Sequence, residues 1–222
     1  MAMAWDDAID QVLVRIAEDN ASVVAELPAG TGTVSAATIS TNTQIATFLD
    51  EGQKLLARTP LFALRSTATA TIADNALSVS YASMTPLVSG QVPWSVLSAT
   101  LGSTLLQLCD EKWREVYYPG RTTTGAVVYI FDNGDHATFG PTPGTGNGGT
   151  LTVSALMLPR TAVVGGANND VPDHLMHYVI GFGCFKVCEQ NAAEPGFAAM
   201  LANYRAEVAA WAGPIIGLGG KK

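Results

Sequence analysis

Apolar residues recur at helical spacing over two stretches of the N-terminal region. The first stretch predicts a helix over residues 6–24, with acidic residues in its first turn that complement the helix dipole. Its apolar positions are Trp5, Ile9, Val12, Leu13 and Ile16. The second stretch predicts a helix over residues 40–58 that ends at Thr59-Pro60. Its stripe is formed by Ile45, Phe48, Leu49, Gly52, Leu55 and Leu56.

The middle of the chain changes to short runs rich in Thr, Ser, Ala and Val, which are typical of strands. Thr67–Ile72 and Leu77–Tyr81 flank Asp74-Asn75 and predict a hairpin. The further predicted strands are Thr104–Leu108, Ala126–Phe131, Ala137–Phe139 and Thr150–Leu158. The intervening segments are a connection over Pro86–Pro93, a short helix over Asp110–Tyr117, a tight turn at Asp132-Asn133-Gly134-Asp135 and a long loop, with a flexible tip, over Gly140–Gly149.

Two helices follow, each introduced by a proline. The first opens at Asp170-Val171-Pro172-Asp173 and continues to about Gln190. It is apolar on nearly every side, so it needs cover from several directions. The second begins near Pro195, carries the stripe Phe197, Leu201, Tyr204, Val208 and Trp211, and is expected to end at Gly213-Pro214.

This order of elements predicts an α+β fold with N-terminal helices, a small antiparallel β-domain, two C-terminal helices and a flexible tail. The expected segments are an N-terminal helical segment (1–60), a β-domain with long loops (61–170), a helical hairpin (171–212) and the tail (213–222). Together they are expected to form one domain, which 222 residues can supply with a core.

Charge and cysteine usage narrow the functional classes. Charged residues make up 14% of the chain and the formal net charge is −7. Without a basic stripe, binding that neutralises DNA phosphates is not expected, whereas a low-charge surface suits a subunit covered by its neighbours. Three cysteines favour a reducing compartment over a disulfide framework. Neither a secretory signal nor a membrane-spanning run is expected.

Several residue groups resemble reactive sites but fit structural roles better. His174, His177, Cys184 and Cys188 share one predicted helix, yet its ends at 174 and 188 lie about 21 Å apart, too far for one ion. Gly181-Phe182-Gly183-Cys184 falls inside that helix, where a nucleophile elbow cannot form, so its glycines predict close approach of another element. The Asp132–Asp135 turn lacks the length of a calcium loop, and Gly140–Gly149 lacks a phosphate-binding Gly-Lys-Ser/Thr. We therefore assign no catalytic, cofactor-binding or metal-binding residue.

The order of motifs over Thr104–Trp211 resembles the head-to-tail adaptor proteins of tailed bacteriophages. The polar segment Asp110-Glu111-Lys112-Trp113 is followed by the strand and turn Tyr129–Gly134 and by Pro141-Thr142-Pro143. A strand ending in Leu158-Pro159, the helix start Val171-Pro172-Asp173 and a closing helix with aromatic positions complete the pattern.

This resemblance implies a non-enzymatic virion protein that forms a ring, commonly twelve-fold, between the portal protein and the tail or nozzle protein. DNA would pass through the ring without specific binding, and subunits would assemble in the host cytoplasm. The all-round apolar helix suggests that identical copies cover it. Candidate subunit-interface residues are Met176, Ile180, Cys184 and Trp211, and one of the four tryptophans is expected at an interface. The candidate portal-binding tail residues are Ile215, Ile216, Leu218, Lys221 and Lys222.

Two other functional classes remain open from the sequence. A tail-completion or other β-rich virion interaction module would share the low charge and the sheet. A small metalloenzyme using Asp173, His174 and His177 would bind metal at near-stoichiometric level.

Overall fold

The computed structural model describes residues 3–19, 42–117, 123–166, 168–193 and 196–216, and the side chains of residues 17–19, 111 and 214–216 lie outside this description. The chain divides into two compact units. A helical unit contains Met1–Phe62 and Thr161–Lys222, and a β unit contains Ala63–Arg160. The N-terminal and C-terminal helical segments therefore belong to one unit, although a complete β unit separates them in the sequence.

The described helices agree closely with the periodicity of the sequence. In the helical unit they are α1 (Trp5–Asp19), α2 (Asn42–Leu56), α4 (Met176–Gln190, after a 3-10 turn at Asp173–Leu175) and α5 (Phe197–Ile216). The short helix α3 (Glu111–Tyr117) lies in the β unit. All five predicted apolar positions of α1 are buried, as are Ile45, Leu49 and Leu56 of α2. Residues 20–24 of the predicted first helix lie outside the described residues.

Helix α5 extends beyond its predicted end. Its backbone continues through Gly213-Pro214 to Ile216. A proline in the last turn removes one backbone hydrogen bond, to the carbonyl four residues earlier, and the residues after it still complete the turn. The predicted tail therefore begins as helix, and only residues 217–222 lie beyond it.

The segment after the last strand belongs with the helices. The Ala162 N–H donates to the Asp50 carboxylate at 3.1 Å, and the Gly165 N–H donates to the Asp6 carboxylate at 2.8 Å. A β-bridge joins Asn168 to Ala4. These long-range bonds place residues 161–170, which were expected in the β-domain, within the helical unit.

The described part of the β unit contains an eight-stranded sheet and a two-stranded sheet. The strands are β1 (Arg65–Ile72), β2 (Ser78–Ser80), β3 (Thr85–Pro86), β4 (Val92–Leu101), β5 (Thr104–Cys109), β6 (Thr124–Gly125), β7 (Tyr129–Asp132), β8 (His136–Gly140), β9 (Thr142–Pro143) and β10 (Gly149–Leu158). The large sheet has the order β2-β8-β7-β5-β4-β10-β1-β3, and β6 pairs with β9. All pairs are antiparallel except β5 with β7 and β6 with β9.

The large sheet curls because its two edges are close in sequence. The edge strands β2 and β3 are separated by only Tyr81–Met84, a 3-10 turn and one residue. Four residues cannot span an open eight-stranded sheet, whose strands are about 4.8 Å apart. The curled sheet encloses a core to which β10 contributes Leu151, Val153, Ala155 and Met157, all fully buried. The predicted apolar face of this strand is confirmed.

The predicted hairpin between the first two strands is wrong. Strand β1 pairs with β10 and β3, whereas β2 pairs with β8. Asn75 does adopt the left-handed conformation of a turn residue, with φ of 62°. The turn at Asp74-Asn75 therefore leads to the strand at the other end of the sheet order, while the two edges of β1 pair with β10 and β3.

The ten-residue strand β4 was not predicted. Prolines at both ends of Pro86–Pro93 indicated a connection, but the strand begins at Val92 and forms a hairpin with β5. Two register shifts against β10 interrupt its alternation, so the burial pattern of β4 does not follow a period of two. Strand β7 is shorter than predicted, since residues 126–128 form no strand.

The long loop after β8 is bonded to the β unit rather than projecting from it. The Asp74 carboxylate accepts the N–H groups of Gly146 and Gly148, each at 2.8 Å, and Asn75 donates its N–H to Pro143 at 2.7 Å. A Cβ atom at Gly148 would lie 2.5 Å from the Ile72 carbonyl oxygen, so the close approach requires glycine there. The glycines of this loop thus allow its backbone to hydrogen-bond to the turn at Asp74-Asn75.

These loop contacts predict a pH dependence. The N–H groups of Gly146 and Gly148 lower the pKa of Asp74 below its ordinary value of 3.8. A lowered folded pKa means that the stabilisation is complete above the unfolded pKa and is lost as the pH falls through the folded pKa. We expect the amides of Gly146 and Gly148 to lose their protection from solvent exchange, measured by NMR relative to an unstructured peptide at the same pH, as the pH falls through the folded pKa, below 3.8. Asp74→Ala should show little protection at every pH, and equal protection in both proteins would contradict the assignment.

Candidate interaction surfaces

The predicted subunit-interface residues lie mostly inside the chain's own core. Met176, Ile180 and Cys184 are at most 3% exposed, whereas Trp211 is partly exposed. Helix α4, which carries the three buried residues, packs against α1, α2 and α5 of the same chain. The premise that α4 needs cover from other subunits is therefore wrong, because three helices of its own unit supply that cover. Of the four predicted residues, Trp211 alone keeps exposed surface on the single chain.

Glycines on α4 and α2 make this packing possible, and the sequence indicated this for Gly183 on α4. A Cβ at Gly183 would lie 3.0 Å from Val12 Cγ2 and 3.1 Å from Leu49 Cδ2, and one at Gly52 would lie 3.0 Å from Phe182 Cδ1. All three distances are tighter than ordinary van der Waals contact. The absence of side chains at these two positions lets α1, α2 and α4 approach one another.

The histidines and cysteines of α4 and its preceding turn do not come together. Cys184 and Cys188 are fully buried, whereas His174 and His177 are exposed. Burial raises the pKa of the Cys184 thiol to about 12, which opposes formation of a nucleophilic thiolate. No group of three or more potential metal ligands occurs among the described residues.

The four tryptophans have different environments. Trp5 is 2% exposed in the core of the helical unit. Trp94 and Trp113 belong to the β unit, while Trp211 lines an open pocket on the helical unit. The Trp211 surface therefore remains available for the contact that the sequence predicted for one tryptophan.

An aromatic cluster joins the short helix α3 to strand β7 in the β unit. It consists of Trp113, Tyr117, Tyr129 and Phe131, with ring centroids of Trp113 at 4.3 Å from Tyr117, 4.6 Å from Tyr129 and 6.1 Å from Phe131. The short helix α3 is thereby attached to strand β7 through Trp113. Aromatic pairs at these separations stabilise beyond the burial of area alone.

Exposed apolar side chains accompany this cluster. Val116 and Tyr117 on α3 are 71% and 61% exposed, and Leu105 on β5 is 71% exposed. Leu105 shares a strand face with Gln107, which is in register with Tyr129. We call Leu105, Val116 and Tyr117 the exposed apolar set. Sequence reasoning missed this set because the parallel pairing of β5 with β7, which brings the two segments together, has no local signal.

A pocket of about 550 Å³ lies on the helical unit. Its lining includes Pro60, Leu61, His177, Tyr178, Glu207 and Trp211. The rings of Tyr178 and Trp211 are 5.6 Å apart, and those of His177 and Tyr178 are 3.9 Å apart. An aromatic pocket with one carboxylate suits an apolar segment that also carries positive charge.

The predicted portal-binding residues fall at the edge of the described structure. Ile215 and Ile216 belong to the last turn of α5, of which only the backbone is described. Leu218, Lys221 and Lys222 lie outside the described residues. Their assignment to portal contact stays a prediction.

Comparison with known proteins places the chain in a family. Within the described residues, no helix is both long enough and apolar enough to cross a membrane. No curated protein matches the chain. The family described as SU10 adaptor protein matches residues 3–216, which includes both units. The resemblance to bacteriophage head-to-tail adaptors is thus confirmed over nearly the whole chain, and the protein belongs to the SU10 adaptor protein family.

Proposed function

We propose that this adaptor assembles as a ring of identical subunits between the portal protein and the tail or nozzle protein, at the neck of the virion. Family membership over residues 3–216 is the observation that carries the proposal, since it supports a structural adaptor protein. Subunits are made in the host cytoplasm and DNA passes through the ring. The protein performs no catalysis in this role.

The charge of the chain suits passage of DNA without retention. The net charge of −7 opposes adsorption of a polyanion, and like charge on the wall of a channel lets DNA move without strong contacts. A basic channel would instead bind phosphates and release counterions. In the proposed ring, DNA is therefore cargo rather than a specific ligand.

In the proposed ring, exposed surfaces supply the contacts between subunits. Since Met176, Ile180 and Cys184 are buried, the candidate surfaces include the exposed apolar set and the Trp211 pocket. Large apolar side chains exposed together are a feature of interaction surfaces in proteins that work as assemblies. A head-to-tail contact between two different surfaces closes into a ring when the rotation per subunit divides the circle.

Removal of the tail tests attachment to the portal. Ala212 is fully buried, so a truncation there would damage the core, whereas truncation after Ile216 leaves all described helices complete. We expect the truncated protein to keep its circular dichroism spectrum and urea midpoint but to lose co-sedimentation with portal-bearing heads. The full-length double variant Lys221→Ala/Lys222→Ala is the matched comparison. It removes the two positive charges and keeps the apolar residues of the tail, so it shows which of the two contributes to docking. Normal docking of the truncated protein would refute portal contact by the tail.

Electron microscopy of the particle neck tests the ring itself. We expect a closed ring of this protein next to the portal, and we expect assembly to depend on the portal even if the isolated protein is monomeric. Binding to tail tubes instead of portal-bearing heads would assign the protein to tail completion. Near-stoichiometric metal in the purified protein would revive the metalloenzyme alternative.

A further inference from the structure

The pocket on the helical unit has three features that define its occupant. Its apolar surface includes Leu61, which is 46% exposed, and the facing rings of Tyr178 and Trp211. Glu207 is the acidic residue in its lining. The Glu207 carboxylate lies 3.8 Å from the Arg15 guanidinium, and both side chains are more than a third exposed to solvent. The occupant should therefore combine a small apolar side chain with a cation.

The indole nitrogen of Trp211 adds a further requirement. This N–H group is shielded from solvent and has no acceptor among the described residues. Buried donors in folded proteins almost always have a partner. A carbonyl oxygen from a segment outside the described residues, seated against Trp211, would supply it.

Residues 217–222 match these requirements and are within reach. They read Gly-Leu-Gly-Gly-Lys-Lys, with one apolar side chain and two cations. Ile216 is five residues beyond Trp211, about 7.5 Å along α5, and nine beyond Glu207, about 13.5 Å. Six extended residues span about 20 Å. Residue 217 is a glycine, and a glycine after the end of a helix commonly adopts the left-handed conformation that reverses the chain.

We propose that residues 217–222 fold back along α5 in the free subunit, with Leu218 in the pocket and a terminal lysine beside Glu207. The described geometry supports this contact independently of any partner. A consequence rests on the proposed function: one segment cannot occupy the pocket and the portal at the same time. The pocket would then hold the tail until the portal competes for it.

Zero-length crosslinking of the isolated full-length chain tests the contact. A carbodiimide condenses a lysine amine with an adjacent carboxylate, with loss of one water and formation of an amide bond. We expect mass spectrometry to find an amide between Glu207 and Lys221 or Lys222. Leu218→Asp removes the apolar anchor and should reduce this product about tenfold. Leu87→Asp is the matched control, since Leu87 is 77% exposed on the β unit and lies outside the exposed apolar set, so the same change there should leave the yield unchanged.

The outcomes separate the possible occupants. A mixture of ¹⁴N- and ¹⁵N-labelled protein should give the amide within one copy. A mixed-isotope product would overturn folding back and assign the pocket to the tail of a second copy. Absence of the Glu207 product, or an equal yield in Leu218→Asp, would overturn the proposal. Because no portal is present in the assay, neither result depends on the truncation experiment.

Discussion

Replacing Asp132 by alanine is expected to lower the free energy of unfolding of the β unit by about 3 kcal/mol. The Asp132 carboxylate accepts the Tyr81 hydroxyl and the Val96 N–H, each at 2.7 Å, and the Gly134 N–H at 2.9 Å. Tyr81 is 1% exposed, so its hydroxyl has little access to water after the substitution. Burial, followed by the Asp132 hydrogen bond, also raises the pKa of Tyr81, which keeps this donor protonated.

This carboxylate joins three parts of the curled sheet. Tyr81 lies between the two edge strands, Val96 is on β4, and Asp132 ends β7. Loss of the acceptor therefore leaves donors from two separate segments without partners. Urea unfolding and amide exchange of Val96 measure the effect.

A matched control is available on the same turn. Asp135 is exposed and contacts the neighbouring His136 at 2.5 Å, so Asp135→Ala should leave stability nearly unchanged. Combining Tyr81→Phe with Asp132→Ala removes donor and acceptor together, and the double variant should lose less than the sum of the single variants. Additive losses, or a stable Asp132→Ala protein, would contradict the role of this hydrogen-bond network.

Substitution of Gly183 by leucine is expected to destabilise the helical unit by about 3 kcal/mol, because it overpacks a close contact of three helices. Even the first added carbon would lie 3.0 Å from Val12 and 3.1 Å from Leu49. Both neighbours are fully buried and cannot move into solvent. The measurement is the urea midpoint followed by circular dichroism.

Two comparisons show whether packing is the cause. Gly181→Ala on the same helix meets the end of the Glu207 side chain, which is partly exposed and can move, so it should be neutral or stabilising. Leu49→Ala placed in the Gly183→Leu protein should restore part of the lost stability, although Leu49→Ala alone destabilises. If the stability losses of Gly183→Leu and Leu49→Ala simply add in the double variant, overpacking against Leu49 is not the cause of the destabilisation by Gly183→Leu.

Local patterns were sufficient for the helices and for part of the sheet. Trp5, Ile9 and Val12 recur with a period that only a helix places on one face, and the structure buries that face. Leu151, Val153 and Ala155 likewise indicated the inner face of β10. The Asp132–Asp135 turn was evident for the same reason: the conformations that Asn-Gly favours depend on neighbouring residues alone.

Pairing between distant strands had no comparable local signal. Strand β1 could have paired with β2 across the Asp74-Asn75 turn, but its two edges pair with the distant strand β10 and with β3. The irregular register of β4 removed the alternation by which a strand is recognised. The sequence predicts a flexible tip for the long loop at 140–149, whereas the structure bonds it to Asp74. Gly146 and Asp74 are 72 residues apart in the sequence, so no local pattern indicates this contact.

The sequence by itself determined the α+β class, the helix faces and, through its order of turns and capping residues, the adaptor family. Tertiary structure decided which surfaces remain available for contact. An apolar helix needs cover, but its composition does not specify whether the cover comes from its own chain or from another. Here α1, α2 and α5 enclose α4, while Leu105, Val116, Tyr117 and the Trp211 pocket stay open to solvent. Burial depends on the sum of all neighbours in space, and a one-dimensional pattern contains only those that are close along the chain.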